Sequence, residues 1–261
     1  MNLDMSGKAA LVTGSTAGIG IAIAAGLAEQ GSHVWINGRT QARVDSAIAT
    51  IMKKNPKAKL SGVAADVATA EGGRTVAAAI AEVDILVNNM GTVNVRKPFE
   101  ELTDADWTEL FEINVMSGVR MTRQYIGAMR RKNWGRVIFI SSESGVQIPT
   151  EFIHYGMTKA ANIAVARGVA ETLVKSGVTV NSVLPGPTMA QGATKRLAES
   201  GKNEAEFNEE FFKTVRPTSL QQRFHRTEEV ANMVVYLCSP AASGTHGAAL
   251  RVEGGLLKSA F

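Results

Sequence analysis

The chain has 261 residues, a formal net charge of +4 and a pI near 9.2, with 45% hydrophobic and 20% charged residues. That is enough chain for one large core, and the balance excludes a disordered or fibrous protein. A single cysteine, Cys238, excludes an intrachain disulfide and a cysteine-based zinc site, and the dispersed basic residues argue against a nucleic-acid or membrane arm.

Short β-branched runs alternate with longer amphipathic stretches from end to end. Ala9 to Thr13 reads as a buried strand, Gly18 to Gln30 as a helix closed by Gly31, and His33 to Asn37 as the second strand. Thr40 to Lys54 is the second helix, ended by Asn55-Pro56. Leu60 to Ala64, Thr69 to Ala81 and Asp84 to Asn88 repeat strand, helix, strand. One long helix is expected from Asp104 to about Arg131, then strand Arg136 to Ser141, helix Ile153 to Lys175 and strand Val178 to Leu184. Pro185 to Phe224 breaks the rhythm, and helix Glu228 to Leu237 precedes a last strand, Ala249 to Val252. Such alternation implies right-handed crossovers. The expected fold is α/β: one domain over 1–261, a doubly wound Rossmann-type parallel sheet of about seven strands with helices on both faces. Met1 to Lys8 lacks an apolar signal region, and the apolar run Ala17 to Ala28 is too short to span a bilayer, so a cytoplasmic location is expected.

Gly14, Ser15, Thr16, Gly18, Ile19 and Gly20 lie where the first strand turns into the first helix. Glycine permits positive φ and close approach of a ligand, and a helix start offers free N–H groups, which together suit a pyrophosphate. A tight strand–helix turn packed with small residues is the plainer alternative. The absence of Lys followed by Ser or Thr excludes a nucleoside-triphosphate loop. Dinucleotide folds carry an acid at the end of the second strand to bind a ribose 2′-hydroxyl. Here Asn37-Gly38-Arg39 stands in that place. Arg39 could pair with a 2′-phosphate, which favours NADP(H) over NAD(H).

Tyr155 and Lys159 are four residues apart at the start of a predicted helix and share its face. An ammonium held beside a phenol favours phenolate, which suits general acid–base chemistry. In chain order with the glycine turn stand Asn88-Asn89-Met90-Gly91, Asn114 in Ile-Asn-Val, Ser142 in Ile-Ser-Ser-Glu-Ser-Gly, Tyr155-Gly-Met-Thr-Lys159 and Asn181 to Gly186. Over nearly its whole length the chain resembles the short-chain dehydrogenase/reductase family in its single-domain form, including 3-oxoacyl thioester reductase-like members.

The resemblance implies an oxidoreductase passing hydride between a nicotinamide cofactor and a ketone or secondary alcohol. Tyr155 would exchange the proton. Lys159 would lower its pKa and bind the nicotinamide ribose, Ser142 would hold the carbonyl oxygen, and Asn114 would position a water. Strand alternation alone does not choose between Ser141 and Ser142; the family's spacing selects Ser142. Asp66 and Val67 would meet the adenine; Asn88, counted with the cofactor-binding residues, would be the strand-stabilising asparagine, and Gly91 would permit close approach of the cofactor. Pro185, Gly186 and Thr188 would meet the carboxamide. Met90 departs from the family's usual alanine, and Ala17 stands where some NADP-preferring relatives are basic.

Glu143, Ser144, Gln147 and Phe152, together with Ser142 and Tyr155, are expected to line the substrate cleft. Within 186–226, the polar stretch with Phe207, Phe211 and Phe212 suits a lid. The apolar tail Leu250 to Phe261 suggests subunit contacts, with a homotetramer implied by the resemblance. The scattered histidines imply no metal, and neither nucleic acid nor membrane is an expected partner. The alternative from another class is a non-catalytic NAD(P)-binding regulatory or scaffold protein on the same fold.

Overall fold

The computed structural model describes residues 1–93 and 95–260. Its seven strands are β1 (Ala9–Val12), β2 (His33–Gly38), β3 (Lys59–Ala64), β4 (Ile85–Asn88), β5 (Gly135–Ile140), β6 (Val178–Pro185) and β7 (Ala249–Val252). They form one sheet in the order β3-β2-β1-β4-β5-β6-β7, every pair parallel. Parallel strands need crossovers, and covering both faces makes the strands apolar on both sides. Ala10, Val12, Ile85, Val87, Ile138 and Ile140 face one layer, packed with α1 (Gly18–Glu29), α2 (Gln41–Lys54) and the late helix Thr227–Cys238. Their strand neighbours Leu11, Leu86, Val137 and Phe139 face the other. There they pack with α3 (Ala70–Ala79) and the helices that follow β4 and β5.

Where one helix was expected from Asp104 to Arg131 there are two. After α4 (Asp104–Phe111), a π-helical turn spans Glu112–Met116 before α5 (Ser117–Arg131). A π-turn inserts one extra residue and re-aims side chains. Asn114 lies in it and holds the Thr92 backbone at both ends, accepting from its N–H at 2.8 Å and donating to its carbonyl at 2.9 Å. The next helix, α6 (Ile153–Glu171), stops short of Lys175, whose φ of 59° is incompatible with continuing it. The arrhythmic stretch contains α7 (Gln191–Ser200) and α8 (Glu204–Thr214); α9 (Thr227–Cys238) follows.

The tail differs from expectation. Leu256 and Leu257 are buried in their own chain, and the Glu253 carboxylate accepts both of their backbone N–H groups. They therefore offer no exposed apolar patch. Phe261 lies outside the described residues.

Phe212 centres a small apolar cluster of its own. Its ring meets Phe211 at 5.1 Å and Phe224 at 5.4 Å, apart from the two sheet layers. Phe212→Ala is expected to remove about 3–5 kcal/mol of packing from this satellite. Hydrogen exchange should accelerate across 191–214 while β1, β4 and β5 keep their protection; equal loss in the strands would contradict it.

Candidate active site

The sheet order changes direction at β1, with β2 on one side and β4 on the other, and this is where a doubly wound sheet opens a crevice. Side chains there serve as backbone partners. Asn89 Nδ2 donates to the carbonyls of Thr13 (2.9 Å) and Gly14 (3.1 Å), and Asn37 Oδ1 accepts from Gly14 N–H at 3.2 Å. Gly14 and Gly18 have φ of 61° and 57°, where a side chain would be strained. No side chain caps α1, so its first N–H groups face the crevice with the positive end of the helix dipole.

From this turn a cavity of about 750 Å³ runs along the carboxyl ends of the strands. Gly14, Thr16, Gly18, Ile19 and Gly20 line it, as do Asp66, Val67 and Gly91. Arg39 stands on its wall at one end, and Tyr155, Lys159, Ser142, Pro185, Gly186 and Thr188 stand at the other. Two expected cofactor residues lie behind the wall. Ser15 is buried, donating to the Val12 carbonyl at 2.7 Å and accepting from Asn37 N–H at 3.0 Å. Asn88 is buried, with Nδ2 on Thr122 Oγ1 at 2.9 Å. Arg43, in the first turn of α2, shares the wall with Arg39 of the preceding loop and was not expected. Among the described residues no acid stands at the end of β2, where Gly38 is followed by Arg39. A Cβ on Gly38 would come within 2.4 Å of Thr16 Cγ2.

At the far end Tyr155 and Ser142 stand on the same cavity, and Ser142 Oγ accepts from Ser144 N–H at 3.1 Å. Ser141 turns away and donates to the Lys159 carbonyl at 2.7 Å. Lys159 Nζ donates to the Ile140 carbonyl at 3.0 Å and lies 5.6 Å from the Tyr155 ring centroid. Gly91 allows this approach, since a Cβ there would sit 3.0 Å from Nζ and 3.4 Å from Asn114 Oδ1. Asn114 Nδ2 also donates to Thr158 Oγ1 at 3.0 Å.

Burial pushes the Tyr155 phenol up to about 12, with Ser142 opposing it. Burial also pulls Lys159 down to about 8.

Of the expected substrate residues, Phe152 meets the Tyr155 ring at 5.7 Å, nearly edge-on. Ser144 and Glu143 are buried, and Gln147 is exposed. None of these four lines the cavity. Glu143 is instead paired with Arg216, 3.1 Å away and 73 residues along the chain. Among the described residues there is no cluster of three acidic, histidine or cysteine side chains suited to a metal, and no helix long and apolar enough to cross a membrane.

The family model described as enoyl-(acyl carrier protein) reductase matches residues 14–257. The chain is 45% identical over 267 residues to an uncharacterized oxidoreductase, YvaG, of Bacillus subtilis (strain 168), covering 100% of both. It is 34% identical to the 3-oxoacyl-(acyl-carrier-protein) reductase FabG of Aquifex aeolicus (strain VF5), over 98% of this chain and 100% of that one. The solved structure of L-sorbose reductase from Gluconobacter frateurii, complexed with NADPH and L-sorbose, matches with a TM-score of 0.90 at 33% identity. That match covers 99% of this chain and 100% of the other.

Lys159 supplies a stability test with a definite sign. Its ammonium falls from 10.5 to about 8 on folding, so between those values the unfolded chain binds more protons and stability rises with pH. Below pH 8 the buried cation is a cost. Lys159→Met is therefore expected to be more stable than the parent at pH 7, by about 1–3 kcal/mol. The gap should close as the pH passes 10.5. Urea midpoints at pH 7, 9 and 10.5 check it, and a gap that stays constant would contradict the assignment.

Proposed function

This chain belongs to the short-chain dehydrogenase/reductase family of NAD(P)-dependent oxidoreductases, and from that membership we propose that it interconverts a ketone and a secondary alcohol with NADP(H), Tyr155 exchanging the proton. Membership sets aside the non-catalytic scaffold alternative. The observation that carries the proposal is that Ser142, Tyr155 and Lys159 stand on the same cavity as the glycine turn.

The residues fit a dinucleotide phosphate. The uncapped start of α1 and the left-handed Gly14 and Gly18 suit its pyrophosphate, and Arg39 with Arg43 suits a 2′-phosphate. Bound there, the cofactor supplies or accepts the hydride. Tyr155 stays protonated at neutral pH and so donates to the forming alkoxide during reduction. Ser142 holds the carbonyl oxygen beside that proton, while Asn114 fixes the backbone of Thr92. In the oxidative direction the phenolate is needed, so that rate rises with pH.

Residues 186–226 form the substrate lid in this proposal. Gln191 and Gly192 at the start of α7 already line the cavity, and Ala190 Cβ would lie 3.5 Å from a Cβ built on Gly18. The active form proposed is the homotetramer that the family resemblance implies.

Tyr155→Phe keeps the ring and removes the proton. We expect turnover to fall by about 10²–10⁴-fold while thermal stabilisation by NADPH is retained; near-parental turnover would end the mechanism. For cofactor choice, NADPH is expected to raise the melting temperature more than NADH. The double variant Arg39→Ala/Arg43→Ala should lose about tenfold or more in NADPH affinity, leaving NADH affinity unchanged. Equal loss for both cofactors would remove the 2′-phosphate reading.

A further inference from the structure

A buried histidine stands behind the reacting end of the cavity and takes no part in proton transfer. His225 is 3% exposed and lies just before α9, at the far end of the segment proposed as the lid. It is bonded to the near end of that segment in three places. Its N–H donates to the Pro187 carbonyl at 2.9 Å, its carbonyl accepts from Met189 N–H at 2.8 Å, and its ring Nδ1 lies 3.2 Å from the Pro187 carbonyl. A carbonyl oxygen only accepts, so Nδ1 carries the proton in this contact. The two backbone bonds already pair Thr188 with His225 as a parallel bridge. The ring adds a second donor to an oxygen that the backbone has satisfied, so backbone pairing gives no reason for it. The chain also makes room for the ring. Gly254 has a φ of 67°, and a Cβ there would come within 3.0 Å of His225 Cε1 and 3.3 Å of Nε2.

We infer that His225 is a positioning residue for the nicotinamide, its ring holding the Pro187–Thr188 peptide so that the Thr188 N–H is presented to the carboxamide. The inference rests on the NADP(H) reading above, in which Pro185, Gly186 and Thr188 meet that group. Gly186 and Thr188 line the cavity on either side of Pro187. A trans peptide points its C=O and its N–H in opposite directions. Fixing the Pro187 oxygen toward His225 therefore turns the Thr188 N–H the other way, to the cavity side. Among the described residues that N–H meets no acceptor, which leaves it free for a ligand. The rest of the turn is tied down separately. Gly186 N–H donates to the Val252 carbonyl at 2.9 Å, and Thr188 Oγ1 donates to the Gly186 carbonyl at 2.9 Å. The Pro187–Thr188 peptide is the part whose direction is left to His225.

A general brace would affect the whole cofactor, whereas this role affects only its nicotinamide half. The probes are NADPH and 2′-phospho-ADP-ribose, which lacks the nicotinamide, each titrated calorimetrically into the full chain. His225→Leu removes the donor at similar bulk. It is expected to weaken NADPH about threefold to tenfold and to leave 2′-phospho-ADP-ribose unchanged. His225→Asn returns a donor close to the place of ring Nδ1 and should bind NADPH like the parent. Equal weakening of both probes, undiminished NADPH affinity in His225→Leu, or an Asn variant as weak as the Leu variant overturns the inference. Should His225→Leu fail to fold, His225→Asn is compared with His225→Gln, whose donor reaches one bond further, and equal NADPH affinity in those two overturns it. A parent that binds neither probe fails the NADP(H) reading and takes the inference with it. A parent that binds both, with variants that do not separate them, fails the inference alone.

Discussion

The structure depends on a clasp at the switch point of the sheet. Thr13 Oγ1 donates to the Val87 carbonyl at 3.3 Å and accepts from the N–H groups of Asn89 and Met90, both at 3.0 Å. Asn89 returns the connection to the Thr13 and Gly14 carbonyls, and Asn37 Nδ2 reaches the carbonyls of Val63 and Ala65. Parallel strands that end side by side leave polar backbone groups that must be satisfied. Here side chains meet that requirement, so the strand ends can separate without leaving buried groups unpaired. A crevice is thereby kept open, and the start of α1 faces it.

Most of the fold was legible because each strand is short and apolar on both faces while each helix shows its own period. What failed was local sequence where tertiary contacts decide. Glu112–Met116 carries no helix breaker, so the π-turn could not be foreseen; Asn114 is held there by Thr92, 22 residues away. Leu256 and Leu257 read as an exposed tail because their burial leaves no periodic trace in so short a segment.

The candidate site divides along the same line. Tyr155 and Lys159 were visible because one helical turn brings them together, whereas Ser15 and Asn88 share a motif with lining residues yet face inward. Neighbours in sequence alternate in direction, and a motif does not say which of its members look out. Arg216 had no local signal at all. A carboxylate as buried as Glu143 calls for a cation, but burial itself was not visible in the sequence.

Burial also sets the terms of the chemistry at the reacting end. Desolvation drives Tyr155, Lys159 and Glu143 toward their neutral forms, and it holds the phenol's proton most firmly, raising Tyr155 to about 12. The Lys159 amine is fixed in place by its bond to the Ile140 carbonyl, on the same cavity as Tyr155 and the glycine turn. A phenol in such surroundings is in its acid form at neutral pH, and forming the phenolate there requires positive charge or hydrogen-bond donors brought to the oxygen to offset what burial costs.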